Sequence, residues 1–493
     1  MKKRFISILL LVALLASACG SAGTPAGTDS IEPAETTPAD TRDVSDLPDT
    51  DLGGFTLRLL LQDSAASQNH TMYLFAPEEE NGDVFNDAVY QRTTRMEEKY
   101  GFTVENIYCD SVVGALNTTV MAGDDEYDVA LPQLHLAVTV VTSGLLQNLC
   151  EIENLNLTKN YWDQSFYRDL SIENKLYFGS GDILVSDDDN LIVTLYNTAM
   201  AKDYNIENLY DLAYAGKWTM DKFTELIKAT AQDVDGDGGM AAPNRAGGLA
   251  HAGVTDTVGL LYASNNCAAP YFATAGVYVF AKDENDTPVL NGTSEQMFGI
   301  YDKMLTFLDQ TRYACDWMRF TNGGGAITAL AQSKQALFET MMLSIIRRLY
   351  RDVETDFGIL PIPKYDESQE KYATATYKFF EVITVPATAT ATDKIGFTLE
   401  ALASASDLLT DAYYNICLQS KYVRDEESFD MINLARENIV YDIGFIYDWG
   451  GLYSRITDAA HQGDAALASL IESGKNAAEQ AMKNYVDAIL ALE

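Results

Sequence analysis

The chain has 493 residues, 47% of them hydrophobic and 11% aromatic, with 34 basic against 72 acidic side chains and a formal charge of −38. Such an excess of acid excludes nucleic acid as a partner, because that affinity rests on phosphate neutralisation by Lys and Arg. It disfavours anionic lipid for the same reason, and by itself reads as solubility at a crowded surface.

In chain order, Lys2, Lys3 and Arg4 open an apolar run that Leu15-Ala16-Ser17-Ala18-Cys19 closes. That is the pattern of a secretory leader ending in a lipobox, so residues 1–18 are read as a signal peptide and Cys19 as the acceptor of a diacylglycerol. Ala16 stands where Leu or Val is commoner, which keeps an ordinary leader as the alternative. Residues 19–53 are rich in Ser, Thr, Pro, Ala, Gly and acids, a composition that cannot bury a core and serves as a flexible tether. The expected location is the outer face of a bacterial cytoplasmic membrane, held there by lipid. The longest later apolar stretch, Val129 to Leu146, is interrupted by Pro132, Gln133, His135 and Gly144. It falls short of the roughly 20 apolar residues of a membrane helix and reads as a buried strand and a helix.

The roughly 440 residues beyond the tether exceed one core and are natural for two lobes. Phe55–Leu61 predicts a buried strand, and Asn86–Tyr100 predicts a helix stopped by Gly101. Strands over 102–107 and 127–131 follow, the second leading into a helix that ends at Gly144. The order β-α-β-α-β-α predicts an open α/β sheet with helices on its faces. Further strands are expected at 175–178, 191–196, 357–361 and 379–386. Thr219 is placed as the N-cap of a helix, residues 300–350 are expected to be largely helical, and long helices are expected over 393–409 and 464–492. Cys109, Cys150, Cys267, Cys315 and Cys417 are widely spaced and odd in number, so buried thiols are expected for most of them rather than zinc or a disulfide framework.

No H-E-x-x-H, G-x-S-x-G or Walker-type loop occurs, and His70, His135, His251 and His461 stand apart. No catalytic residue is therefore assigned, no enzyme is expected and no cofactor is required. Asp233-Val-Asp235-Gly-Asp237-Gly238 matches the first half of a calcium loop. Its twelfth position is Asn244 rather than Glu, so structural Ca²⁺ and a plain Asx-rich turn are both open. Tyr161-Trp162-Asp163, Tyr196-Asn197 and Phe379-Phe380-Glu381 set aromatic planes beside acceptors, as do the surroundings of Trp218, Trp317 and Trp449. Sugar rings stack their C–H faces on such planes while their hydroxyls bond the polar groups. Core packing uses the same residues and is the competing reading.

The lipobox, Gly53-Gly54-Phe-Thr-Leu-Arg58, Asn86-Asp-Ala-Val-Tyr90, Glu97-Glu-Lys-Tyr-Gly101, Gly123-Asp-Asp-Glu-Tyr-Asp128, Leu195-Tyr196-Asn197, Gly216-Lys-Trp-Thr219, Asp233 to Gly238 and Phe357-Gly-Ile-Leu-Pro-Ile-Pro-Lys-Tyr-Asp366 follow one another in this order. In that order the chain resembles the sugar-type, family 1 extracellular solute-binding proteins of bacterial ABC importers, the family that includes maltose- and other oligosaccharide-binding proteins. The resemblance implies a type II, periplasmic-binding-protein-like α/β fold with two lobes, an interlobe ligand cleft and hinge closure. Lobe 1 would hold 54–165 and 380–425, and lobe 2 would hold 166–379 and 426–493. Tyr161, Trp162, Asp163, Phe379, Phe380 and Glu381 would lie near the crossings and contact the ligand. Tyr196-Asn197 matches a segment in which the family often has Phe-Asn-Lys, although Thr198 replaces the Lys. The implied function is capture of a small polar ligand, a carbohydrate by class, and its delivery to the permease subunits by a monomer tethered to the membrane through lipid. A surface glycan-binding or sensory lipoprotein without transport is the alternative.

Overall fold

The computed structural model describes residues 43, 45–63, 75–236, 238, 240, 256–320, 323–350 and 353–492. Cys19, the leader and most of the tether lie outside these residues. The strands β1 (Phe55–Gln62), β2 (Phe102–Cys109) and β3 (Val129–Ala130) form a parallel sheet in the order β2-β1-β3. Parallel strands covered on both faces need near-continuous apolar side chains, and Leu57, Leu59, Leu60 and Leu61 supply them in the middle strand. The helix Val84–Tyr100 makes the first crossover. Asp83 caps its start by accepting from the N–H groups of Phe85 and Asn86, and Gly101, at φ 64°, ends it where a side chain would be strained.

Along the chain follow β4 (Ile192–Asn197), β5 (Val258–Tyr262), the hairpin β6 (Phe280–Lys282) and β7 (Pro288–Leu290), β8 (Ala314–Asp316), β9 (Ala336–Met342) and β10 (Phe357–Leu360). All but the hairpin build a mixed sheet in the order β10-β4-β9-β5-β8, while β11 (Thr374–Ala375) and β12 (Ile439–Val440) pair in parallel. The expectation of helix through 300–350 is corrected here, since β9 is the middle strand of this sheet. Ala336-Leu-Phe-Glu-Thr-Met-Met342 is buried along almost its whole length, and an apolar run without periodicity does not separate a buried strand from a helix. Lys175–Phe178 forms only one isolated bridge, between Ile172 and Lys175, because Glu173 and Asn174 turn the chain at positive φ. Phe379–Pro386 likewise makes single bridges rather than a ladder, from Glu381 to Gln133, Ile383 to Gly179, Thr384 to Ala130 and Pro386 to Leu146. None of the five described cysteines forms a disulfide, and Cys267, Cys315 and Cys417 are buried. No helix among the described residues is long and apolar enough to cross a membrane.

Residues 179–191 and 376–384 run beside each other from one sheet to the other, with Gly179 bridging Ile383 and Leu191 bridging Thr376. The first segment carries the short helix Ser186–Asp189. Asp187 and Asp189 in it are buried, and a buried charge persists only when paired. Asp189 Oδ2 accepts from Arg347 at 2.8 Å and Asp189 Oδ1 from the Tyr413 hydroxyl at 2.6 Å. The Tyr441 hydroxyl lies 2.5 Å from Asp163 Oδ2 and 3.1 Å from Asp187 Oδ2. Burial pushes the Asp163 and Asp187 carboxyls up, and their acidic neighbours add to the effect.

Glu339, in the middle of β9, is 4% exposed and accepts from the Tyr350 hydroxyl. Burial pushes it up to about 8, against the roughly 4.3 of an exposed Glu. The folded state therefore binds the proton more tightly than the unfolded one, and stability rises as pH falls through 8. The unfolding midpoint in urea is expected to increase from pH 9 to pH 6, and Glu339→Gln to flatten that slope; an equal slope in the variant would assign the effect to other groups.

Candidate functional site

A cleft opens beside the second crossing segment in two adjoining compartments, of about 420 Å³ and about 210 Å³. They share Asn265, Tyr377 and Phe379. Side chains alternate along an extended chain, so Tyr377 and Phe379 face one way and Phe380 the other. The Phe379 ring lies 4.6 Å from Tyr377 and 4.2 Å from His135 between centroids, which makes a three-ring group. The Tyr377 N–H donates to the Asn190 carbonyl, and its hydroxyl accepts from Asn265 Nδ2.

The larger compartment is walled by Trp317 and Met318, by Asn190 and Asn266, and by Ser344, Ile345 and Arg348 of the helix Leu343–Leu349. Asp316 fixes the Trp317 turn, since its Oδ1 accepts from the backbone of both Ser264 and Met318. Trp317 Nε1 is buried with no hydrogen-bond partner among the described residues. Beneath this turn, the Tyr262 hydroxyl and His461 Nδ1 are 3.0 Å apart, and burial holds the imidazole below its ordinary value.

The smaller compartment is walled by Lys378, Phe445, Asp448, Tyr453, Ser454, Thr457 and Asp458. Asp442 caps the helix Ile443–Tyr447 by accepting from the Gly444 and Phe445 N–H groups, and burial pushes its carboxyl up to about 6. Asp448, in the left-handed region at φ 44°, then accepts from the N–H groups of Tyr453 and Ser454 and from the Ser454 hydroxyl. Lys378 Nζ donates to the Phe445 carbonyl at 2.9 Å, and burial lowers its pKa. Aromatic planes, amide groups, a cation and carboxylates thus surround one cleft, which is the chemistry that holds polyol rings.

Of the residues singled out in the sequence, Phe379 and Trp317 line this cleft. Tyr161 and Trp162 do not: both are buried and donate to the Glu400 carboxylate, Trp162 Nε1 at 2.9 Å. Phe380 is fully buried against Phe166 and Tyr441, so it cannot stack on a ligand without leaving the core. Asp163 caps the helix Gln164–Leu170 and accepts from Tyr441. Glu381 is half-buried beside Gln133, its carbonyl accepting from the Ser186 hydroxyl. Tyr196 packs on Tyr210, and Asn197 caps the helix Thr198–Asp203 while donating to the Ala331 carbonyl, away from the cleft. Tyr377, Lys378, Asn265, Phe445 and Asp458 were missed, although the alternation around Phe379 marks Tyr377. Asp233, Asp235 and Asp256 each bring a carboxylate oxygen within 4.8 Å of the others, the oxygen donors that Ca²⁺ takes. Asp233 also accepts from the Gly236 and Gly238 N–H groups, as an Asx turn does, and Asp237 lies outside the described residues.

No family model matches this chain, and no curated protein matches it in sequence. Its fold does match solved structures. The galacto-N-biose/lacto-N-biose I-binding protein of an ABC transporter from Bifidobacterium longum, in complex with lacto-N-biose, aligns at TM-score 0.55 and 14% identity over 88% of this chain and 98% of that one. RafE from Streptococcus pneumoniae, in its apo form, aligns at TM-score 0.54 and 12% identity over 87% and 98%. A sugar transporter protein from Rhizobium etli in an open conformation aligns at TM-score 0.54 and 12% identity over 89% and 100%. The chain has the two-domain, type II α/β fold of these proteins.

Core and cleft aromatics are expected to separate in unfolding experiments. Trp162→Ala should destabilise the protein by about 3–5 kcal/mol, the scale of a buried aromatic deletion, and Phe379→Ala by less than half as much. Equal losses in urea titrations would place Phe379 in the core.

Proposed function

We propose that the protein is an extracellular, lipid-anchored binding protein that captures a carbohydrate and delivers it to an ABC importer. The observation that carries this reading is the cleft itself, where Tyr377 and Phe379 present aromatic planes beside Asn265, Trp317 and Asp458. The shared fold with sugar-binding proteins of ABC transporters supports it. No covalent step is needed. A ligand that contacts both lobes binds a closed form better than an open one, and that difference in affinity drives closure. The closed form is what the permease would engage, and a lipid tether would keep the binder at high local concentration.

Calorimetric titration with neutral di- to tetrasaccharides tests the binding reading. At least one is expected to bind, with Phe379→Ala and Trp317→Ala each weakening it by about 1–3 kcal/mol, the scale of an aromatic anchor. Small-angle scattering should show compaction at saturation. Absence of binding across the panel would overturn the reading.

The anchor is tested separately, on the lipobox that ends at Cys19. Metabolic labelling with a fatty acid is expected to mark the protein, and Cys19→Ala to remove both the label and its membrane association. Label retained by the variant would refute lipidation at this residue.

A further inference from the structure

The cation in the smaller compartment is unusual for so acidic a chain. Lys378 sits between Tyr377 and Phe379 on the crossing segment, which the His135 N–H holds by donating to the Lys378 carbonyl. Its ammonium lies over the Phe445 ring, 4.5 Å from the centroid, and makes one hydrogen bond, to the Phe445 carbonyl. It forms no ion pair among the described residues, although 72 acidic side chains are available in the chain. An ammonium has three donors, and two of them have no acceptor among the described residues. Desolvating such a group is costly unless something bonds it.

The acceptors opposite are unequal. Asp448 already accepts three hydrogen bonds at the start of the helix Leu452–Gln462. Asp458, one turn along that helix from Ser454, is exposed and lines the compartment. The compartment thus offers one donor cation and, in Asp458, a carboxylate that accepts no hydrogen bond among the described residues, with two formal negative charges against one positive. A carboxylate or phosphate would meet Asp448 and Asp458, whereas an uncharged polyol can accept from the lysine and donate to the aspartate at once. With about 210 Å³, the compartment is also smaller than the roughly 300 Å³ at which independent ligand sites begin, and it shares Asn265, Tyr377 and Phe379 as walls with the larger one.

We infer that the smaller compartment is a subsite for one uncharged terminal ring of an oligosaccharide whose remainder lies in the larger compartment, with Lys378 donating to a ring hydroxyl and Asp458 accepting from its neighbour. The inference rests on reading the cleft as a carbohydrate site. Lys378 then determines specificity: its two waiting donors are satisfied by a hydroxylated ring and left unpaired by a ligand that ends short of the compartment.

The test uses full-length protein and calorimetry with maltotriose, raffinose and lacto-N-biose, and with trigalacturonate as the charged comparison. For the neutral sugar that binds wild type best, Lys378→Met is expected to lose at least tenfold in affinity, Lys378→Arg to recover part of it, and Asp458→Asn to lose affinity for that sugar while narrowing the gap to trigalacturonate. Melting curves of the exposed-site variant Asp458→Asn control for folding. An affinity unchanged in both Lys378→Met and Asp458→Asn, while Phe379→Ala still weakens binding, overturns the subsite and leaves the carbohydrate reading standing. Tighter binding of trigalacturonate than of every neutral sugar by wild type overturns the uncharged ring. No binding of any of the four by wild type overturns the carbohydrate reading itself, and the subsite with it.

Discussion

Three consecutive aspartates in a buried segment are the constraint on which the architecture turns. Asp187, Asp188 and Asp189 occupy the passage between the two sheets, Asp187 and Asp189 buried and Asp188 half-buried between them. Asp189 is held by Arg347 from the helix after β9 and by Tyr413 from the helical stretch Ala412–Tyr422; Asp187 meets Tyr441, just beyond β12; Arg436 lies 3.8 Å from Asp188. Removing one partner of a buried pair costs about 3–5 kcal/mol because a bare charge remains. The need to neutralise these carboxylates thus draws together segments that are distant in sequence. The cleft forms where they meet, with Asn190 receiving the Tyr377 N–H one residue after the acidic run.

The division of labour along 377–380 follows from the same crossing. An extended backbone sends neighbouring side chains to opposite faces, so one run serves two environments: Tyr377 and Phe379 stay at the cleft while Phe380 seals the core against Phe166. Lys378 escapes this simple partition because its stem is long enough to follow apolar surface and place the ammonium over Phe445.

What was legible in the sequence was local. β1, the helix Val84–Tyr100 and β2 stand where apolar runs and Gly101 put them, and Thr219 accepts from the Lys222 N–H as an N-cap should. Partners distant in the chain were not legible. Tyr161-Trp162-Asp163 has the composition of a sugar platform, yet it is spent on Glu400, 238 residues beyond Trp162, and on Tyr441, 278 beyond Asp163. The same aromatic-plus-acid chemistry satisfies a core, and only the distant partner decides between the two uses. β9 was illegible for a related reason, since a strand covered on both faces has no polar stripe to mark its period.

The join between β9 and the helix that follows has a mechanical consequence. The strand ends at Met342 and the helix begins at Leu343, with no residue between them to act as a hinge. Ser344, Ile345 and Arg348 are therefore carried directly from the end of the central strand of the five-stranded sheet, which β4 and β5 hold on both sides. The opposite wall is built otherwise: Trp317 and Met318 ride on a short turn tied down mainly by the Asp316 carboxylate. One wall of the cleft is thus continuous with the middle strand of a sheet, and the other is anchored through a single carboxylate, so the tryptophan side has the fewer backbone restraints against a change of width.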